Sequence, residues 1–201
     1  MRKVERETVT NDYTGVRCVL AALLALVGFA ASAAPVTYHV DPARTVAGYG
    51  IVYLGVLAHR GRFARSHGTM TIDVAAGEGR VEFTVDAHSV DSGFAPRDAF
   101  IRDGAMLDVA HHPDIAFAST RLAFDAERLV RIDGRLSLHG VTRDVALDVS
   151  QFDCGTGGGE APATCVAAAT TALRRSDYGI AGFVPLIDDV VTLDFRVVGV
   201  R

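Results

Sequence analysis

The sequence predicts an all-β protein, an eight-stranded antiparallel β-barrel with one short helical crossover. Short segments of alternating apolar and polar residues, each bounded by turn residues, recur from Val36 to the end of the chain. No stretch is long and periodic enough to predict a domain-sized helix. An immunoglobulin-type sandwich is disfavoured, because the chain has no Trp and its later cysteines lie close together in sequence. A barrel of eight strands can hold one small ligand.

The first half of the barrel is predicted from four strands. The second of them contains several glycines, which indicates a bend or bulge where a barrel closes. In the fourth, Val81, Phe83 and Val85 share one face, and the polar residues between them share the other. These strands are predicted at Val36–Val40, Val46–Leu57, Gly68–Val74 and Arg80–Val90.

The segment between the two halves, Ser92–Phe117, does not alternate. It predicts a short helix within Arg97–Asp108, with Pro96 near the first turn, where proline is tolerated. We expect this helix to cross the mouth of the barrel as a lid. Apolar side chains would face the interior and charged ones would lie at its polar edge. The apolar residues are Phe100, Ile101 and Leu107, and the charged ones are Arg97 and Asp98.

The second half reads as five further strand segments. They are predicted at 114–124, 128–138, 144–152 and 165–175, and a final strand over 190–200 closes the barrel. A long connection over 176–189 precedes that final strand. This connection and the exposed edges of the barrel could form the contact surface of a homodimer.

Residues 1–34 are predicted to be a cleaved signal peptide, which leaves residues 35–201 as one domain. A region with several basic residues precedes the apolar run "CVLAALLALVGFA", and "ASAAP" offers a small-residue cleavage site. The apolar run has 13 residues, whereas a helix needs about 20 to cross a bilayer. An uncleaved membrane anchor is the alternative. The order of these regions predicts export to the periplasm.

The charge of the mature chain excludes several function classes. Its net charge is about −5, so it lacks the clustered basic surface that nucleic acid requires. Lys3 is the only lysine and leaves with the signal peptide. Schiff-base chemistry and P-loop phosphate binding both need a lysine and are therefore excluded.

Cys154 and Cys165 flank a glycine-rich loop. Two cysteines in this arrangement in an exported domain predict one structural disulfide. Ten intervening residues fit neither a C-x-x-C redox pair nor a zinc knuckle.

The histidines and serines do not predict a catalytic or metal site. His88 and Ser89 are neighbours, and in a strand their side chains would point to opposite faces. The sequence has no G-x-S-x-G elbow. None of the seven histidines has H-x-H or H-x-x-x-H spacing, and adjacent residues such as His111 and His112 rarely bind one ion. We therefore predict no catalytic residue, no metal and no cofactor.

Arginines and aspartates cluster in two loop-like segments, and two interpretations stay open. They are surface ion pairs that fix loop conformations, each worth about 0–1 kcal/mol, or one or two arginines hold an anionic head group at the barrel mouth. The segments contain Arg97, Asp98, Arg102 and Asp103, and Arg174, Arg175 and Asp177.

Several motifs, in this order, resemble the YceI-like family of periplasmic, lipocalin-like, polyisoprenoid-binding barrels. They are "RDAFIR", "LDVAHHPDIAF", "GRLSLHGVTRDVALDV" and "RRSDYGIAGFVPLIDDVVTLDFRV", and the resemblance runs from Tyr38 to Arg201. It implies a hydrophobic pore for a long isoprenoid or amphiphilic lipid. It also implies that ligand-binding residues lie in the two charged segments, namely Arg97, Asp98, Phe100, Ile101, Arg175 and Asp177.

The chain departs from the family pattern at three histidines. Arg44-Thr45, Tyr53-Leu54-Gly55 and Phe100 stand where family members usually have histidine-containing motifs. Phe100 makes the expected rim of the pocket more apolar.

The resemblance predicts a non-catalytic carrier that binds a long-chain lipid and touches a membrane transiently. One alternative is a periplasmic hydrolase or isomerase that uses Asp98 or His112 on a lipid-like substrate. Another is an accessory partner of a membrane redox protein in a stress response.

Overall fold

The computed structural model of the protein describes residues 34–155 and 163–201. Eleven strands and one α-helix form within these residues. The strands are β1 (Val36–Val40), β2 (Val46–Tyr53), β3 (Leu57–Phe63), β4 (Ser66–Asp73), β5 (Glu78–Asp86), β6 (Val90–Asp91), β7 (Asp114–Asp125), β8 (Arg128–Leu138), β9 (Val141–Cys154), β10 (Thr164–Arg174) and β11 (Val190–Val200). The helix is α1 (Ala95–Arg102), and Ala87–Ser89 and Arg175–Tyr178 form short 3₁₀ turns.

Eight of the strands close into an antiparallel barrel, which confirms the predicted fold class. The order around the ring is β1, β4, β5, β7, β8, β9, β10 and β11, and β11 pairs back to β1. β11 also pairs through residues 192–196 with β2, while its last residues pair with β1. The remaining strands β2, β3 and β6 therefore extend the barrel wall as a branch beside β11.

The prediction of one long strand over Val46–Leu57 is wrong. The chain turns back after Tyr53, and β2 and β3 form a hairpin in which Tyr53 pairs with Leu57. The turn contains two left-handed residues, Leu54 with φ 53° and Gly55 with φ 70°. Leucine rarely adopts this conformation, so the sequence gives little indication of the turn.

The predicted lid helix and disulfide are both present. α1 begins at Ala95, two residues before the predicted segment, has Pro96 in its first turn and ends at Arg102. Cys154 and Cys165 face each other across β9 and β10 and form a disulfide, with Cys165 fully buried. On the chain-entropy model, a loop of this length stabilises the fold by about 3 kcal/mol.

The predicted signal peptide lies outside the described residues. Within the described ranges, no helix is long and apolar enough to cross a membrane.

Candidate functional site

A cavity of about 120 Å³ lies inside one end of the barrel. We call it the main chamber. It lies where β5, β8 and β10 end and where β7 and β11 begin, and α1 and the residues that follow it cover it. Nearly all of its wall is aliphatic or aromatic. The lining residues used below are Ala47, Tyr49, Ile51, Tyr53, Ile101, Met106, Leu107, Leu138, Leu173, Arg175 and Ile180.

A second chamber of about 60 Å³ lies deeper in the barrel. Its wall is also almost entirely apolar and includes Met70, Leu129 and Leu147. Both chambers are lined by the same group of side chains, which therefore forms a constriction between them. The constriction consists of Phe83, Phe117, Leu136, Leu193 and Phe195. Phe83 and Phe195 meet edge to face within it, with their ring centroids 5.9 Å apart.

The lid contributes apolar side chains to the main chamber. Ile101 and Leu107, two of the three side chains expected to face the interior, line it. Phe100 does not line the chamber but is partly buried against the core, and its ring meets Phe183 edge to face at 5.2 Å. The lid thus rests on the segment between Arg175 and β11 through an aromatic contact.

Arg175 lines the main chamber and is almost completely buried, with 3% of its surface exposed. Its guanidinium donates four hydrogen bonds to backbone carbonyls of the connection before β11. Nε donates to Asp188 (2.9 Å), Nη1 to Ile180 (2.9 Å) and Gly182 (2.7 Å), and Nη2 to Ile187 (2.9 Å). Burial lowers the pKa of Arg175 below its ordinary value, but arginine stays charged in proteins. Four of its five N–H donors therefore hold the cavity wall.

Arg97 and Asp98 belong to α1, and neither lines the main chamber. Nη1 of Arg97 lies 2.8 Å from the ring nitrogens of His59. Burial, and then the charge of Arg97, lower the pKa of His59. Asp98 is buried and accepts a hydrogen bond from the backbone N–H of Ser92 at 2.8 Å. Hydrogen bonding by Ser92, first through its side chain, lowers the pKa of Asp98.

Tyr49 lines the main chamber and carries a buried polar group that the sequence does not reveal. Its ring lies over Gly61 on β3, where any side chain would collide with it. Among residues 34–155 and 163–201, its hydroxyl is buried without a hydrogen-bond partner. Burial raises the pKa of Tyr49 to about 12, so the hydroxyl remains a donor at neutral pH. An unpaired buried hydroxyl costs about 1–3 kcal/mol, which makes Tyr49 a candidate partner for a ligand.

Exposed apolar side chains surround the lid end of the barrel and form what we call the apolar rim. Leu54 and Leu186 belong to it, and the N–H of Leu54 donates to the carbonyl of Leu186 at 2.8 Å. They are 61% and 58% exposed. The full rim consists of Leu54, Val56, Leu57, Phe183, Val184 and Leu186.

The predicted ligand-binding residues therefore occupy three different positions. Ile101 and Arg175 line the main chamber, whereas Arg97, Asp98 and Phe100 belong to the lid and its edge. Asp177 is exposed on the 3₁₀ turn and does not line the chamber, and its backbone carbonyl accepts a hydrogen bond from Arg143. Tyr49, Tyr53 and His59 do not stand out in the sequence as site residues, because a strand pattern does not tell which polar residues meet at the end of a strand.

Comparison with known sequences identifies similar proteins over most of the chain. A model of the YceI-like domain matches residues 38–199. A UPF0312 protein of Vibrio vulnificus is 31% identical over 165 residues, which cover 79% of this chain and 84% of the relative. A UPF0312 protein of Vibrio cholerae is 29% identical over 164 residues, which cover 80% of this chain and 85% of the relative.

Comparison with solved structures identifies the same barrel. Burkholderia cenocepacia BcnA has a TM-score of 0.69 at 19% identity, over 79% of this chain and 98% of that protein. A polyisoprenoid-binding domain from Saccharophagus degradans, implicated in plant cell wall breakdown, has a TM-score of 0.61 at 18% identity, over 82% and 98% of the two chains. The YceI protein of Campylobacter jejuni has a TM-score of 0.64 at 18% identity, over 75% and 89%. These likenesses agree with the barrel described above.

Proposed function

This chain belongs to the YceI-like domain family, and we propose that it is an exported, non-catalytic carrier that binds the hydrocarbon chain of an isoprenoid or other amphiphilic lipid inside its barrel. The observation that carries the proposal is the apolar main chamber, continued beyond the constriction by the second chamber. A neighbouring structure with the same fold is a polyisoprenoid-binding domain, which supports the same class of ligand.

The size of the chambers sets the length of the chain that fits. A dry apolar cavity of roughly 150 Å³ holds one six-carbon benzene ring. On this scale the main chamber at 120 Å³ holds roughly five carbons. The second chamber, at 60 Å³, holds roughly two or three more. A chain of about eight carbons would therefore fit if the constriction opened, and the rest of a longer chain would lie outside the two chambers.

Burial of such a chain supplies part of the free energy for binding. At about 0.8 kcal/mol per methylene, the main chamber alone contributes roughly 4 kcal/mol and both chambers together roughly 6 kcal/mol. This offsets much of the association cost, which is about 4–15 kcal/mol. Additional polar contacts at one end of the chain are therefore needed for tight binding.

We place the polar end of the ligand beside Tyr49. Among the described residues its hydroxyl has no partner, and Arg175, which has one N–H outside the four hydrogen bonds described above, lines the same chamber. His59 lies next to Tyr49, with ring centroids 6.4 Å apart, and Arg97 contacts His59. His59 therefore lies between the guanidinium of Arg97 and the ring of Tyr49, and Arg97 has no direct contact with the proposed position of the ligand's polar end.

Asp98 and His112, which the enzyme alternative would use, and Ser89, the serine beside His88, are engaged in other contacts. Asp98 accepts a hydrogen bond from Ser92, and His112 packs against His139 outside the chamber lining. Ser89 donates to the carbonyl of Asp86 at 2.6 Å. None of these three side chains lies beside the space where a ligand chain would sit, so we propose binding without chemistry.

The proposal predicts that protein purified from its native host carries a lipid. Native mass spectrometry is expected to detect one bound amphiphile per chain, released by organic solvent. Delipidated protein should bind saturated or isoprenoid alcohols with an affinity that rises about fourfold per added carbon and levels off once the chambers are full, near about 5–8 carbons. A clean apo mass together with no dependence on chain length would overturn the carrier function.

The apolar rim predicts direct contact with a membrane surface during loading. Exposed leucines at the mouth would insert into the interface of a bilayer, and each buried leucine side chain contributes about 1.5–3 kcal/mol. The double variant Leu54→Ser/Leu186→Ser is expected to bind neutral phosphatidylcholine vesicles at least tenfold more weakly in a flotation assay. The control is Val46→Ser at the other end of β2, where Val46 is 42% exposed. Equal binding by all three proteins would show that the rim does not touch membranes.

A further inference from the structure

We propose that Asp108, His112 and His139 form a binding site for one divalent transition metal ion of the Zn²⁺ type. Each of the three residues offers one ligand atom, and these atoms all lie within 4.8 Å of one another. All three side chains are partly buried. The site is separate from the lipid-binding proposal, and either can be correct without the other.

The fold brings these residues together from two loops at the lid end of the barrel. Asp108 follows the lid in a left-handed conformation with φ 44°, and its carbonyl accepts a hydrogen bond from the N–H of His112 at 2.9 Å. His139 lies in the two-residue turn between β8 and β9, where Leu138 pairs with Val141. The rings of His112 and His139 lie 4.9 Å apart.

Gly140 allows this approach of the two histidines. Its φ is 74°, beside φ 51° at His139, so both turn residues have the positive φ that a tight hairpin requires. A Cβ at position 140 would lie 2.7 Å from a ring carbon of His112. Any other residue at this position would therefore push His112 away from His139.

The orientation of His139 is fixed from outside the cluster. Its Nδ1 lies 3.1 Å from the backbone carbonyl of Tyr178, and a carbonyl can only accept, so Nδ1 carries the proton. This leaves the lone pair on Nε2 free. Metal-binding histidines are oriented in this way, with the second ring nitrogen bonded to a carbonyl or a carboxylate.

Two imidazoles and one carboxylate match the ligand sets of three-residue zinc sites, which keep a fourth position for water or an anion. Ligand bonds of about 2.0–2.2 Å require the ligand atoms to approach to roughly 3.4 Å in a tetrahedral site. The ligand atoms lie within 4.8 Å of one another, so each pair has to approach by at most about 1.4 Å. His111, through Nδ1, lies 2.9 Å from both carboxylate oxygens of Asp108. It can keep one of them while the metal takes the other.

The test is a titration of untagged, EDTA-treated protein with Zn²⁺ by calorimetry, and with Co²⁺ by absorption spectroscopy. We expect one Zn²⁺ per chain and a Co²⁺ spectrum of low coordination number. His112→Ala and His139→Asn should each weaken binding at least tenfold, and asparagine suits the left-handed conformation of residue 139. The matched control is His67→Ala, which removes an exposed histidine of β4 and should leave binding unchanged.

Thermal unfolding with and without Zn²⁺ separates loss of the site from loss of the fold. Wild type and His67→Ala should unfold at a higher temperature with Zn²⁺, whereas folded His112→Ala and His139→Asn should not. If one of the two variants does not fold, the other decides the question. The proposal is overturned if wild type binds no Zn²⁺, or if a folded His112 or His139 variant binds it as tightly as wild type.

Discussion

Arg175→Ala is expected to lower the free energy of unfolding by about 3–5 kcal/mol, because it leaves buried carbonyls without a donor. Four carbonyls of the connection before β11 accept hydrogen bonds from this one guanidinium. Water cannot easily replace a side chain that is only 3% exposed. The connection also forms part of the main chamber through Ile180, so the variant should lose lipid binding together with stability.

The measurement is urea unfolding followed by circular dichroism, with Arg174→Ala as the matched control. Arg174 is the preceding residue, but its side chain is 67% exposed and meets Asp189 at 3.6 Å. Its removal should change the free energy of unfolding by at most about 1 kcal/mol. Arg175→Lys should recover only part of the loss, because an ammonium cannot reach four carbonyls from the positions of a planar guanidinium.

The same comparison separates two roles of Arg175. A ligand-binding arginine would change affinity and leave stability nearly unaltered. If Arg175→Ala unfolds at the same urea concentration as Arg174→Ala, the four hydrogen bonds do not hold the wall, and the role in ligand binding implied by the family resemblance would be favoured.

Most of the fold can be predicted from the strand pattern and the family motifs, because the alternation of side chains along a strand is a local property of the sequence. Val81, Phe83 and Val85 alternate with polar residues and form part of β5. The β2–β3 hairpin was missed because its turn places a leucine in a left-handed conformation, which no local rule favours. The segment after it, "LAHRGRF", has little apolar periodicity.

The candidate sites were harder to predict, because they depend on which loops meet in space. Spacing within one segment gives no indication that His112 packs against His139, since they belong to different loops. For Arg175, the family motif indicates that the residue matters but does not indicate what its side chain binds. A buried arginine that binds backbone carbonyls and one that binds a head group have the same sequence signature.

Ala47→Phe is expected to weaken binding of a 12-carbon alcohol roughly 50- to 200-fold while the protein stays folded. Ala47 is buried at 2% exposure and lines the main chamber. A phenyl ring there would take the space of at least three or four methylenes, each worth about 0.8 kcal/mol of binding. Because the ring would fill empty space, the stability cost should stay within the 1–3 kcal/mol typical of overpacking.

The matched control is Ala118→Phe, the same substitution on the outer face of β7, between Glu82 and Arg135. It adds the same ring without entering the barrel, so its affinity should equal that of wild type. Ala47→Leu should give an intermediate loss of affinity. It keeps the prediction testable if the larger Ala47→Phe variant does not fold. Thermal unfolding of all three proteins checks that each is folded. If folded Ala47→Phe bound the alcohol as tightly as Ala118→Phe, the ligand chain would not occupy the main chamber.

A substitution at the constriction can enlarge the cavity where Ala47→Phe fills it. It therefore tests more sharply where the hydrocarbon chain of the ligand lies. Phe195 lines both chambers, so Phe195→Ala should join them and remove the barrier to a longer chain. The affinity of this variant should keep rising with chain length to about eight carbons or more, whereas wild type should level off earlier. Loss of the Phe83 contact and the new cavity should lower the free energy of unfolding by about 3–5 kcal/mol. A chain bound on the outer surface would show the same length dependence in both proteins, because Phe195 would not lie in its path.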